Sequence, residues 1–172
     1  GAPFLRMSAR PAHRADWFAD EDAGGIWGHT ARGHIREDIQ RYFFAAAFAA
    51  CGSGCGRSPV LSDFPEFLLP KHRNVQRALD GGLFADRFRV QVADRPATTL
   101  TAHISKDGHY YIHPDPFQAR SLTVRDAARV QTFPDNFLFL GSQTAQYHQI
   151  GNAVPPLLAL QIAGVVDRIQ RG

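Results

Sequence analysis

The stretch Arg120–Pro156, RSLTVRDAARVQTFPDNFLFLGSQTAQYHQIGNAVPP, constrains this chain more than any other. Thr123 is followed three residues later by Asp126, a capping box with Asp in place of Glu. Leu122, Ala127 and Val130 give the short helix that follows an apolar side. Pro134 closes it, because the proline ring clashes with the preceding turn. Further on, Gly151-Asn152 leads into Pro155-Pro156 and a second helix, since proline fits the first turn, where its missing N–H would be unpaired anyway. The expected arrangement is a small loop carrying Asn152 just before a helix N-terminus, a position that attracts carboxylate or phosphate.

The rest of the chain reads as a helix followed by strands. Glu37–Ala50 carries Ile39, Tyr42, Phe43, Ala46, Ala47 and Ala50 at helical spacing, and its FFAAAFAA run reads as a buried face. Cys51–Pro59 breaks that helix, and Asp63 is placed to cap a short helix over Phe64–Leu69, closed by Pro70. Phe88, Val90 and Val92 alternate with polar residues as a half-buried strand. Thr98–His103 reads as a second strand and Tyr110–His113 as a third, with Ser105–Gly108 turning between them. The last helix, from Pro155 to about Ile169, puts Leu158, Ile162, Val165, Val166 and Ile169 on one side. The fold class is thus α+β: a small mixed sheet with helices. Residues 1–33 read as largely irregular, ordered in part by Trp17 and Trp27.

Two motifs, LTVRDAARVQTFPDNF and QIGNAVPPLLA, stand in order with a short spacer. Together they resemble the last two sequence motifs of DNA (cytosine-5)-methyltransferases. The resemblance is densest from about Asp94 onward; HIREDIQRYFFAAAFA and GRSPVLSDFPEFLLPKHRNV are similar to the target-recognition region of one branch of the family. It implies a target-recognition domain over residues 1–135 and, over 136–172, a hinge and C-terminal segment whose helix packs on a Rossmann-like cofactor domain. The family's Gly-rich cofactor loop, Pro-Cys nucleophile and Glu-Asn-Val acid are not in these residues: Cys51 follows Ala50 and Cys55 follows Gly54. The expectation is therefore a C-terminal part with no catalytic residue of its own, needing S-adenosylmethionine only together with an N-terminal catalytic part or partner subunit. The chain opens on Gly-Ala-Pro, so the natural N-terminus is expected to lie elsewhere.

The resemblance also implies roles for residues. Gly151, Asn152 and Ala153 would help to hold S-adenosylmethionine; the alternative is that Asn152 is a helix cap and Gly151 a turn residue. Thr99, Leu100 and Thr101 match the family's Thr-Leu context, where the hydroxyl meets a phosphate near a flipped cytosine; the alternative is an ordinary Thr-rich strand. His103, Ser105, Lys106 and Asp107 lie where family loops enter the major groove, with Lys suited to guanine and Asp to cytosine N4; a solvated hairpin turn explains them equally well. Arg125 reads as a structural ion pair, a phosphate contact or a helix-surface residue, and Arg120 is grouped with it.

Composition permits this reading without demanding it. A net charge of +3 and pI of about 9.2 suit double-stranded DNA, and nearly all the positive charge is arginine, which a GC-rich genome also favours. Two cysteines make no disulfide framework, which points to a reducing cytoplasm, and no run approaches the roughly twenty apolar residues of a membrane span. Cys51, Cys55 and His72 lack the paired spacing of a structural zinc site, so no metal is expected. The alternatives to the methyltransferase part are a DNA-binding subunit of a split methyltransferase and an inactive fragment.

Overall fold

The computed structural model describes residues 14–20, 25–51, 56–71, 75–80 and 85–172. Along these run helices α1 (Ala15–Phe18), α2 (Arg36–Ala50), α3 (Val75–Leu79), α4 (Val124–Val130), α5 (Gln143–Asn152) and α6 (Pro156–Arg171). Three 3₁₀ turns lie at Leu61–Asp63, Glu66–Leu68 and Ala102–Ser105. The chain divides into two compact units. One comprises the described residues of Gly1–Thr30 with Leu100–Lys106 and Thr123–Gly172; the other comprises those of Ala31–Thr99 with Asp107–Leu122.

In the second unit α2 forms, but on a shifted face: Tyr42 and Ala46 are buried as expected, whereas Ile39, Phe43 and Ala50 are exposed. Tyr42, Ala45 and Ala49 turn into a core with Leu61, Phe64, Leu68, Ala78, Phe88, Val90 and Ile112. Alanines on that face let the packed residues come close to the helix backbone, which suits the bulky aromatics opposite. Two polar pairs lie beside this core. Tyr42 Oη is 2.7 Å from His109 Nδ1, and His34 Nε2 is 3.1 Å from Ser121 Oγ.

The anticipated mixed sheet is not what forms. Among the described residues, pairing is confined to isolated bridges, Val90 with Ile112 in parallel and Ile112 with Ser121 antiparallel. The Thr98–His103 strand is absent for a local reason. Pro96 has no N–H to give, and the Gln91 side chain takes the place of a neighbouring strand. Its Oε1 accepts from the Thr98 amide at 3.0 Å and from Thr98 Oγ1 at 3.2 Å, while its Nε2 donates to the Tyr110 carbonyl at 2.9 Å. From Ala102 the chain then coils into a 3₁₀ turn. Asp63 also departs from expectation: it accepts from the Val60 amide behind it at 2.8 Å and pairs with Arg57, rather than capping a helix ahead.

In the first unit the Thr123–Asp126 capping box is present, with Asp126 N–H to Thr123 Oγ1 at 3.1 Å and Thr123 N–H to Asp126 Oδ2 at 2.9 Å. Leu122 and Ala127 are buried as expected, and so are Val124 and Ala128, whereas Val130 is 40% exposed. Among the described N-terminal residues, the Trp17 indole N–H donates to the Thr132 carbonyl at 2.8 Å, while Trp27 is 41% exposed. Helix α5 was not foreseen. Ser142 caps it, accepting from the Ala145 amide at 3.2 Å, and it buries Tyr147 and Ile150.

Helix α6 has Pro156 in its first turn and buries no residue. The residues expected on its apolar side, Leu158, Ile162, Val165, Val166 and Ile169, are all exposed. By length and composition alone, Gln143–Arg171 is apolar enough to cross a membrane. That stretch is two helices, however, interrupted at 153–155, and Asp167, Arg168 and Arg171 lie in its last turns.

Candidate functional site

Gly151 and Asn152 are the last residues of α5, not a loop leading into α6. This reverses the local electrostatics. The end of α5 presents carbonyl groups, which favour a cation such as an ammonium group rather than a carboxylate. The start of α6 is no anion site either, because Pro156 lacks an N–H and the Leu157 amide donates to Thr132 Oγ1 at 3.1 Å. Thr132 holds that position with φ of 64°, the left-handed region.

Gly151 is helical, and the space beside it is filled by protein. A Cβ there would stand 2.4 Å from the Ala102 nitrogen and 2.4 Å from the Thr101 carbonyl carbon. Backbone thus packs directly on backbone, so a ligand does not enter from that side. Asn152 is exposed and Ala153 half-buried at the open end of the helix. The Asn152 amide, able to donate and accept, thus stands next to carbonyls that favour a cation.

The segment packed against Gly151 is the one expected to meet DNA. Leu100 and Ile104 are buried at 4% and 0% exposure and anchor it. Thr101, His103 and Lys106 face outward in the same unit, and Ser105 Oγ lies 3.1 Å from His148 Nε2 on α5. Thr99 and Asp107, both exposed, belong to the other unit. His109 is buried with Tyr42.

Arg125 has a different environment. It is 2% exposed and donates to three carbonyls, from Nε to Trp27 at 2.8 Å, from Nη1 to Pro134 at 3.0 Å and from Nη2 to Phe137 at 2.8 Å. Burial pushes its guanidinium below the usual range, and nearby Asp135 opposes that. Of the roles open in the sequence, this geometry gives the structural one. Arg120 is likewise turned inward on its own loop, donating to Gln118 Oε1 and the Ser121 carbonyl.

Two residues were missed. Gln131 and Thr132 follow α4, and between them they touch four other segments. Gln131 Nε2 donates to the Ile150 carbonyl at 3.2 Å and reaches the Leu100 carbonyl at 3.5 Å. The Thr132 hydroxyl accepts from the Leu157 amide in the first turn of α6, and its carbonyl accepts from the Trp17 indole. The polar pair at the end of an apolar helix, before Phe-Pro-Asp, was the available signal. Cys51 is exposed, while Cys55 and His72 lie outside the described residues. Among the described residues no group of three or more His, Cys, Asp or Glu side chains converges on a metal site.

The first unit thus sets the polar 3₁₀ turn Ala102–Ser105 against the end of α5. The signature of C-5 cytosine-specific DNA methylases matches residues 61–168, and the chain belongs to that family. It is 46% identical over 152 residues to a type II methyltransferase, M.Bpa9945I, of Bacillus paralicheniformis, covering 88% of this chain and 32% of that protein. To M1.HphI of Haemophilus parahaemolyticus it is 36% identical over 141 residues, 82% of this chain and 31% of the relative. M.AplI of Arthrospira platensis shares 50% identity over 74 residues, 41% of this chain and 21% of the relative. The chain therefore spans about a third of the length of the Bacillus and Haemophilus relatives.

Proposed function

We propose that the chain is the DNA-recognition and cofactor-pocket-completing part of a DNA (cytosine-5)-methyltransferase. The observation that carries this reading is the seating of the outward-facing Leu100–Lys106 segment on the end of α5, two segments that the sequence assigned to DNA and to cofactor. In this reading Thr101 offers its hydroxyl to a phosphate oxygen near the target base. Phosphate contacts of this kind fix register without reading sequence. His103, Ser105 and Lys106 supply base-edge contacts, and Arg125 is left out because its guanidinium is buried on backbone carbonyls.

S-adenosylmethionine, when bound, supplies the methyl group; Asn152 and Ala153 hold its amino-acid end. The cysteine that activates the cytosine and the glutamate that supports it are supplied by the remaining two thirds of the enzyme. Helix α6 is the docking element for that part, because its exposed aliphatic side chains forfeit roughly 1.5–3 kcal/mol each until covered. Alone, the chain binds DNA and does not methylate it. The working compartment is the reducing cytoplasm, where the absent partner's cysteine stays a thiol.

Fluorescence anisotropy of the purified chain on duplex DNA tests this. Binding should weaken linearly with the logarithm of salt, and Lys106→Ala should reduce that slope by about one. Binding indifferent to salt and to sequence would remove the DNA-recognition role.

A further inference from the structure

Gln131 is assigned to neither DNA nor cofactor, yet it stands between the two segments that are. We propose that Gln131 and Gly151 together form a positioning link that couples the DNA-facing turn Leu100–Lys106 to the cofactor-facing end of α5. The inference rests on the methyltransferase reading above.

The link has two components of different physical kind. The first is contact without slack. Gly151 lets the Thr101–Ala102 backbone approach to where a methyl group would stand at 2.4 Å, closer than real Cβ contacts come. Close-packed backbone transmits displacement instead of absorbing it. The second is a shared donor. The single Nε2 amide of Gln131 gives one hydrogen bond to the Ile150 carbonyl at 3.2 Å and points at the Leu100 carbonyl at 3.5 Å. Ile150 immediately precedes Gly151, and Leu100 immediately precedes Thr101, so the side chain tethers the two strips of backbone that touch. Ile104 and Ile150, both fully buried, close the apolar side of the same contact.

A displacement of Thr101 by a DNA phosphate therefore cannot occur without moving Ile150–Asn152 or breaking the Gln131 bonds. Fixing Asn152 against an amino-acid ligand conversely holds Thr101 in place. Binding linkage makes the effect reciprocal: whatever factor DNA adds to cofactor affinity, the cofactor adds to DNA affinity. Gln131 touches neither ligand, so it is a positioning residue and acts through Leu100 and Ile150.

The experiment joins this chain to the N-terminal two thirds of the Bacillus paralicheniformis relative. It measures the Kd of S-adenosylhomocysteine by calorimetry, with and without a duplex carrying the sequence that the fusion methylates. The unsubstituted protein should bind the cofactor product at least about 5-fold more tightly with DNA present. Gln131→Met, which keeps the length and loses the donor, and Gln131→Glu, which keeps the shape and cannot donate, should each bring that ratio close to one. The affinity for either ligand alone should change by less than about 2-fold, a pattern that general loss of stability does not give. Gly151→Ala gives an independent second perturbation of the same contact and should also lower the ratio. A ratio unchanged in both Gln131 variants overturns the link. Failure of the unsubstituted fusion to bind DNA or S-adenosylhomocysteine overturns the methyltransferase reading itself and the link with it.

Discussion

Asp135 is held by Arg129 through both carboxylate oxygens, at 2.9 and 2.7 Å, while Arg125 stands 4.0 Å away. Asp135 is almost wholly buried, and its side chain pins the Phe-Pro-Asp turn against α4, whose Arg125 in turn gathers the carbonyls of Trp27, Pro134 and Phe137. Removing one member of a buried ion pair leaves the others uncompensated. Asp135→Asn should therefore lower unfolding free energy by about 3 kcal/mol, read from urea midpoints. A loss near zero would mean that the Arg129–Asp135 pair contributes nothing net to the fold.

The two glycines of the C-terminal helices should respond in opposite directions. Gly151→Ala pushes a methyl group into backbone and should destabilise by at least about 1–3 kcal/mol. Gly164 on α6 has nothing within 4 Å of a built Cβ, so Gly164→Ala should stabilise by about 0.5–1 kcal/mol through backbone entropy. Thermal melts of the two variants side by side test the close approach at Gly151 directly.

The His34 and His109 pair gives the stability a pH dependence. Burial, the largest influence, lowers both imidazoles below the usual 6.5; positive groups add to the shift, Arg32 and His109 on His34, and Arg87 and Arg41 on His109. Asp38 and Asp107 oppose it at both. A histidine lowered in the folded state binds fewer protons there than in the unfolded chain below about pH 6.5, so stability is full above that value and falls as pH drops through the folded values. Urea midpoints should fall from pH 7 to pH 5, and His109→Gln should flatten that slope. A midpoint constant over this range in the unsubstituted chain would contradict the buried neutral pair.

The exposed side of α6 should matter to association rather than to the fold of this chain. Ile162→Glu together with Val166→Glu should leave the melting of the isolated chain within about 0.5 kcal/mol, since neither side chain is buried. The same pair should abolish binding to the N-terminal two thirds of the enzyme in sedimentation experiments. Unimpaired association would place the docking surface elsewhere.

Parts of this arrangement were legible in the sequence, and the reasons differ by residue. Helices α2, α4 and α6 could be read because periodicity and caps are local, and the Thr123–Asp126 box formed as its spacing requires. Helix α5 escaped because QTAQYHQIGN is mostly polar and its two buried residues, Tyr147 and Ile150, are too few to mark a period. The three strands were misjudged because alternation at Phe88–Val92 and β-branching at Thr98–Thr101 describe extended chain, not its partner, and the partner here is the Gln91 side chain. Asn152 was placed at a helix start because Pro155-Pro156 dominated the local signal; the helix that ends there could not be seen. Whether Arg125 faced solvent or carbonyls depended on residues 98 positions before and 12 after it, which no local pattern records.

The account depends most on the division of labour between this chain and the rest of the enzyme. The direct measurement is transfer of labelled methyl groups from S-adenosylmethionine to duplex DNA, with the chain alone and with the chain joined to the N-terminal two thirds of its Bacillus relative. The account predicts no transfer by the chain alone and labelling at cytosine C5 by the joined protein. Labelling of DNA by the 172-residue chain on its own would contradict it.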